Sequence, residues 1–164
     1  MGAVLQTSRL DLRELRESDL DALCSIFCDE RTLERWPFTL ARGEVRAMLA
    51  RAQESYAQHG FGLWACELRA TGEFVGSGGL KAAGEPGEIE AMWHLRRDHW
   101  GKGYATEAAR GAIEWAFQRG YRRVLAPILP GNAASQRVAE RLHMRRQGQV
   151  DRHGLAHDLW LLER

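Results

Sequence analysis

Cysteine is scarce in this chain. Cys24, Cys28 and Cys66 are too few for a disulfide framework. Cys24 and Cys28 stand four apart with no matching His or Cys pair nearby, so core packing is expected of them. His153 and His157 fall on a turn and a strand with no third ligand, and no metal site is expected. Lysine is scarcer still: all but two of the 23 basic residues are arginine, the exceptions being Lys81 and Lys102, a bias read as genomic. A net charge of +1 gives no field that would recruit nucleic acid or an anionic membrane. No apolar run is long enough for a signal peptide or a membrane span, and a reducing cytoplasm is the expected location. Repeats are absent, and residues 1–164 suffice for one domain with a proper core.

Two familiar phosphate loops are also missing. Around Gly101-Lys102-Gly103, a Walker loop would need glycine at position 96 and Ser or Thr at 103, where this chain has Arg96 and Gly103. A dinucleotide fingerprint would need glycine in place of Thr106, and an acidic residue where Tyr121, Arg122 and Arg123 stand.

What is present is a strand, a glycine-rich turn and a helix. Residues 88–95 read as a strand. From Ala105, apolar residues recur at 108, 109, 112, 113, 116 and 117, the spacing of one helix face, and Gly120 stands where a C-cap glycine belongs. A helix start leaves backbone N–H groups unpaired and carries partial positive charge. Two glycines let an anion approach that backbone closely. Residues 100–105 therefore read as a phosphate cradle with Lys102 beside it.

The remaining elements follow from pattern. Residues 10–13 alternate as a strand, Ser18 and Asp21 form a capping box, and Leu20, Leu23, Cys24 and Phe27 share a helix face. Residues 31–40 form a loop in which Trp36 and Phe38 either touch substrate or cover the core. A second helix ends near Gly60. Residues 62–68 and 74–80 are a hairpin, and 123–129 is a strand that Pro127 places at an edge or a splay. Asn132 caps a helix ending at His143, which takes a glycine's place in the cap, and 145–151 with 157–162 make a last hairpin.

The segment Trp100-Gly101-Lys102-Gly103-Tyr104-Ala105 resembles the acetyl-CoA pyrophosphate loop of the GCN5-related N-acetyltransferases (GNAT), departing from the family pattern only at Trp100. Asn132-Ala133-Ala134-Ser135 is similar to the Asn-x-x-Ser helix of the branch that acetylates protein N-termini, which includes the ribosomal-protein-alanine acetyltransferases. Residues 9–13, 60–65 and 72–80 extend the resemblance over nearly the whole chain. It implies an α/β fold: a mixed, mostly antiparallel sheet of about seven strands with helices on both faces, splayed between the fourth and fifth. It implies an acetyl-CoA-dependent N-acetyltransferase, with acetyl-CoA as co-substrate and no metal. The acceptor is a primary amine, first of all a protein or peptide N-terminus near Trp36 and Phe38. The alternatives are a small-molecule amine, or a non-catalytic acyl-CoA-binding module. Neither nucleic acid nor membrane is implied as partner, and a homodimer stays open.

Residue roles follow from the same resemblance. Coenzyme contacts fall on Trp93, His94, Leu95, Trp100, Gly101, Lys102, Gly103, Tyr104, Ala105, Thr106, Asn132 and Ser135. Backbone N–H groups at 93–95 hold the oxyanion of the tetrahedral intermediate. An amine must lose a proton before attack. Glu90 stands where the branch carries a glutamate, and is the expected base; His94, on the same strand face, is the runner-up. The tyrosine that many family members place on the later helix as general acid is Ala139 here. Ser135 is left either as acid toward the leaving thiolate or as cap and coenzyme contact.

Overall fold

In the computed structural model, residues 2–31 and 39–164 are described. Trp36 and Phe38 lie outside the described residues. The strands are β1 (Leu5–Gln6), β2 (Leu10–Glu14), β3 (Leu63–Leu68), β4 (Phe74–Ala82), β5 (Ile89–Leu95), β6 (Arg123–Ile128), β7 (Arg145–Arg152) and β8 (Leu155–Glu163). The helices are α1 (Leu20–Phe27), α2 (Arg42–His59), α3 (Tyr104–Gln118) and α4 (Ala133–Arg141). One sheet runs β1-β2-β3-β4-β5-β6-β8-β7, antiparallel everywhere except between β5 and β6. The eighth strand, absent from the sequence expectation, is β1. Its two residues pair with Asp11 and Leu12 and are too short to show a period.

Strand β3 explains why helices cover both faces. Its run Leu63-Trp64-Ala65-Cys66 is buried throughout. Trp64 and Cys66 join the core under α3, while Leu63 and Ala65 join the core under α1 and α2. Trp64 meets Trp115 of α3 edge to face, with centroids 5.4 Å apart. Asn132 caps α4 by accepting the Ser135 N–H at 3.1 Å. His143 ends α4 with φ 61°, the left-handed conformation expected of a glycine there. At α1 the capping contact differs from the expected Ser18–Asp21 box: Asp19 accepts the Arg16 N–H at 2.8 Å, because a short 3-10 turn over Glu17–Asp19 precedes the helix.

The site is positioned by a failure of pairing. β5 and β6 pair only at Ile89 with Val124 and Glu90 with Leu125. Beyond that point β6 stays with β8 as far as Ile128 and Asp158, and β5 stays with β4. A wedge opens between them, and Pro127, which has no N–H to offer β5, lies within it.

Candidate active site

The glycine turn at the wide end of the wedge has the geometry a cradle requires. Gly101 has φ 75° and Gly103 φ 84°, and Gly103 is the N-cap of α3. A Cβ at Gly101 would meet nothing within 4 Å, so the space before it is open. The first α3 hydrogen bond joins Glu107 N–H to the Gly103 carbonyl at 3.0 Å, leaving the N–H groups of residues 104–106 without helical partners. Trp100 pins the turn to β5 by donating its indole N–H to the Leu95 carbonyl at 2.9 Å. From outside, Arg9 donates to the Lys102 carbonyl at 3.0 Å and to Glu107 at 2.6 Å. Lys102 itself is exposed, and its side chain does not line the cleft.

Behind the turn lies a cleft of about 460 Å³ between β5, α3 and α4. Among the described residues lining it there is no carboxylate, while Arg137 and Arg141 of α4 contribute two guanidinium groups. The Thr106 hydroxyl is buried in its wall with no hydrogen-bond partner among the described residues, and His99 is buried beneath the turn, 3.1 Å from Glu73. Unpaired helix N–H groups, two arginines and an unsatisfied hydroxyl together suit a polyanion with polar linkers, as coenzyme A is. Nothing in the sequence pattern assigned a role to Arg137, Arg141 or His99, because their roles come from where α4 and a second 3-10 turn, Arg97–His99, dock.

Two further cavities lie toward the other side of β5. One, about 210 Å³, occupies the narrow end of the wedge beside Glu90, Pro127 and Arg152. The other, about 300 Å³, lies between α1, α2 and the sheet. Trp93, His94, Asn132 and Ser135 line both the large cleft and the wedge cavity, and His94 alone among the described residues lines all three.

The backbone of β5 sorts its residues. Arg96 N–H bonds the Val75 carbonyl of β4, and the carbonyls of His94 and Met92 also turn toward β4, where side chains at Gly76 and Gly78 would meet them. By alternation, the main-chain groups of Trp93 and Leu95 turn toward the wedge. Of the three residues expected to bind through backbone, His94 instead presents its side chain. That ring packs on Phe27 at 4.9 Å, and burial pushes its pKa down to about 4, so it is neutral near pH 7. Glu90 is on the same face, buried, and its Oε1 accepts a 2.7 Å bond from Arg152 at the tip of the β7–β8 hairpin. Ser135 reaches across the cleft from α4, its Oγ accepting the Trp93 indole N–H at 3.3 Å. Its own O–H is left to donate. Ala139 is fully buried against the core, so a general acid at that position would not reach the cleft without repacking.

The family described as "Acetyltransferase (GNAT) domain" matches residues 9–145. The chain is 33% identical to the uncharacterized protein YkkB of Bacillus subtilis over 148 residues, covering 85% of this chain and 84% of that one. It is 28% identical to the uncharacterized N-acetyltransferase p20 of Bacillus licheniformis, covering 88% and 83%. Among solved structures, an acetyltransferase from Agrobacterium tumefaciens superposes with TM-score 0.85 at 26% identity, covering 98% and 94%. A putative ribosomal-protein-serine acetyltransferase from Vibrio cholerae gives 0.82 at 19% identity over the full length of both chains. The aminoglycoside acetyltransferase AAC(6')-Ib in complex with coenzyme A gives 0.79 at 20%, covering 94% and 95%.

Proposed function

The chain belongs to the GNAT acetyltransferase family and is an acetyl-CoA-dependent N-acetyltransferase, and from that premise we propose that its acceptor is a protein or peptide N-terminal α-amine. The ribosomal-protein and aminoglycoside enzymes resemble it in fold alone and do not choose between acceptors. Charge is the observation that carries the choice. Among the described residues lining the two cavities beyond β5, Glu90 is the one carboxylate, and Arg152 already bonds it. A polyamine or aminoglycoside brings several ammonium groups, each needing a carboxylate or water. An α-amine brings one charge, and with a pKa near ~8 it loses that charge more readily than a lysine.

The α-amine attacks in its neutral form, since a ring with a pKa of about 4 does not deprotonate a free ammonium. His94 takes the proton that C–N bond formation makes strongly acidic. Its neutral ring borders both the coenzyme cleft and the acceptor cavities. Glu90 serves instead to hold Arg152, since taking up a proton would dissolve a charge-assisted bond. The Trp93 N–H, turned toward the wedge, donates to the oxyanion that forms at the thioester carbonyl. Ser135, its oxygen already accepting from Trp93, donates its O–H to the departing thiolate.

The test is mass spectrometry on three acceptor classes with acetyl-CoA: peptides with a free N-terminus and an internal lysine, the same peptides N-terminally blocked, and a polyamine with an aminoglycoside. Acetylation at the α-amine, lost on blocking, is expected. Turnover of the polycations with none of any peptide would sink the assignment.

A further inference from the structure

We propose that the peptide acceptor carries an apolar first residue of leucine or methionine size and a carboxylate in the next one or two positions, read respectively by the α1–α2 cavity and by Lys81. This rests on the N-terminal acceptor reading of the same cavities.

The cavity under α1 and α2 holds about 300 Å³. A water molecule's share of liquid volume is ~30 Å³, so the space far exceeds what a single methyl group fills. Its walls include Phe27, Leu40, Met48, Leu63, Leu80 and Met92, and it opens onto His94. A group seated there lies against the residue at which the amine loses its proton. Water in a space walled this way gains few hydrogen bonds, so an apolar side chain is the favoured occupant.

The charged end follows from strand register. Lys81, Met92 and His94 line both the apolar cavity and the wedge cavity, so the two meet along this face of β4 and β5. Lys81 pairs with Glu90 across the sheet, four residues from His94 along β5. At ~3.3 Å per residue that is ~13 Å. The four-carbon stem of lysine spans part of it, leaving room for one to two residues of an extended acceptor. Lys81 makes no ion pair among the described residues, and the charge of the neighbouring Glu90 is already matched by Arg152. Arg51 adds another cation to the rim of the apolar cavity. The surroundings of the bound chain are therefore cationic, and an acidic residue after the first meets an ammonium that has no partner. A carboxylate on the same carbon as the amine would stop short of Lys81.

The experiment compares amidated tetrapeptides at saturating acetyl-CoA: Leu-Glu-Glu-Ala, Leu-Arg-Arg-Ala and Gly-Glu-Glu-Ala. The first should exceed each of the others about tenfold or more in kcat/KM. Lys81→Glu, at an exposed position, should reverse the charge preference while leaving the acetyl-CoA dissociation constant unchanged. Met48→Trp should fill the cavity and abolish the preference for leucine over glycine. Equal rates for the acidic and basic peptides, or a ranking unmoved by Lys81→Glu, would overturn the proposal while leaving the N-terminal reading intact. Failure of every peptide alongside turnover of a polyamine would overturn both.

Discussion

At the scale of single residues, His94 and Gly103 carry the most specific expectations. If His94 accepts the proton, His94→Gln should lower turnover about 10²-fold or more with little change in acetyl-CoA affinity. Glu90→Gln should cost less, acting through a loosened Arg152. The reverse order of effects would return the base to Glu90. Burial holds the folded-state pKa of His94 near 4, below its ordinary 6.5. The unfolded chain therefore binds this proton more readily than the folded one. Stability should fall as pH drops from about 6.5 toward 4 and this contribution should level off below that; urea titrations across the range should show a shallower fall in His94→Gln. At Gly103 the φ of 84° strains any residue with a side chain, and a Cβ there would lie 3.4 Å from the Arg9 guanidinium. Gly103→Asp should weaken acetyl-CoA binding at least about tenfold, or ~1.4 kcal/mol by calorimetry, with an unchanged circular dichroism spectrum.

At the scale of elements, the start of α3 depends on a clamp from the first strands. Glu107 accepts hydrogen bonds from the Thr7 and Ser8 hydroxyls at 2.6 and 3.0 Å and from the Arg9 N–H at 2.7 Å. Burial works to raise its pKa, but these bonds outweigh it and hold the carboxyl below its usual range. The stabilisation is therefore present above the ordinary glutamate pKa and is lost as pH falls through the lowered one. Glu107→Ala should cost about 1–3 kcal/mol in denaturant unfolding by stranding the donors. It should also weaken acetyl-CoA binding, because Arg9 bridges Glu107 and the Lys102 carbonyl; a variant with unaltered coenzyme affinity would show that the turn holds its shape without the clamp. Sequence reasoning reached α3, its glycine turn, the Asn132 cap and the strained His143 because each is written in neighbouring residues. It missed Arg9 over Lys102, Arg137 and Arg141 on the cleft, and the pairing of Arg152 with Glu90. Those depend on chain segments brought together by folding, and a charged residue on an exposed strand or helix face looks the same in sequence whether or not a partner waits for it. The surroundings of Glu90, the expected base, were hidden for the same reason: the guanidinium that bonds it lies 62 residues away.

At the scale of the whole molecule, the fold is a sheet opened between its two parallel strands, and the Arg152–Glu90 bond crosses that opening at its narrow end. The β7–β8 hairpin otherwise reaches the rest of the sheet through β8 and β6. Its tip turns on His153 and Gly154, both with positive φ, and so delivers Arg152 back toward β5. The side chain of Glu90 is 8% exposed and that of Arg152 33%, so the pair is only partly screened from water. Removing the arginine leaves a carboxylate buried without its partner, whereas removing both charges leaves no such group. Arg152→Met should therefore destabilise the protein more than the Arg152→Met, Glu90→Gln double variant does. A double-mutant cycle in urea should give a coupling energy between about 0.5 and 3 kcal/mol. The same substitution frees the hairpin tip at the acceptor end while leaving the glycine turn untouched. The acceptor KM should thus rise while the acetyl-CoA dissociation constant holds. Strict additivity in the cycle, or a loss of coenzyme affinity equal to the loss for acceptor, would mean that the hairpin keeps its place without this bond and that the wedge owes its width to the strands alone.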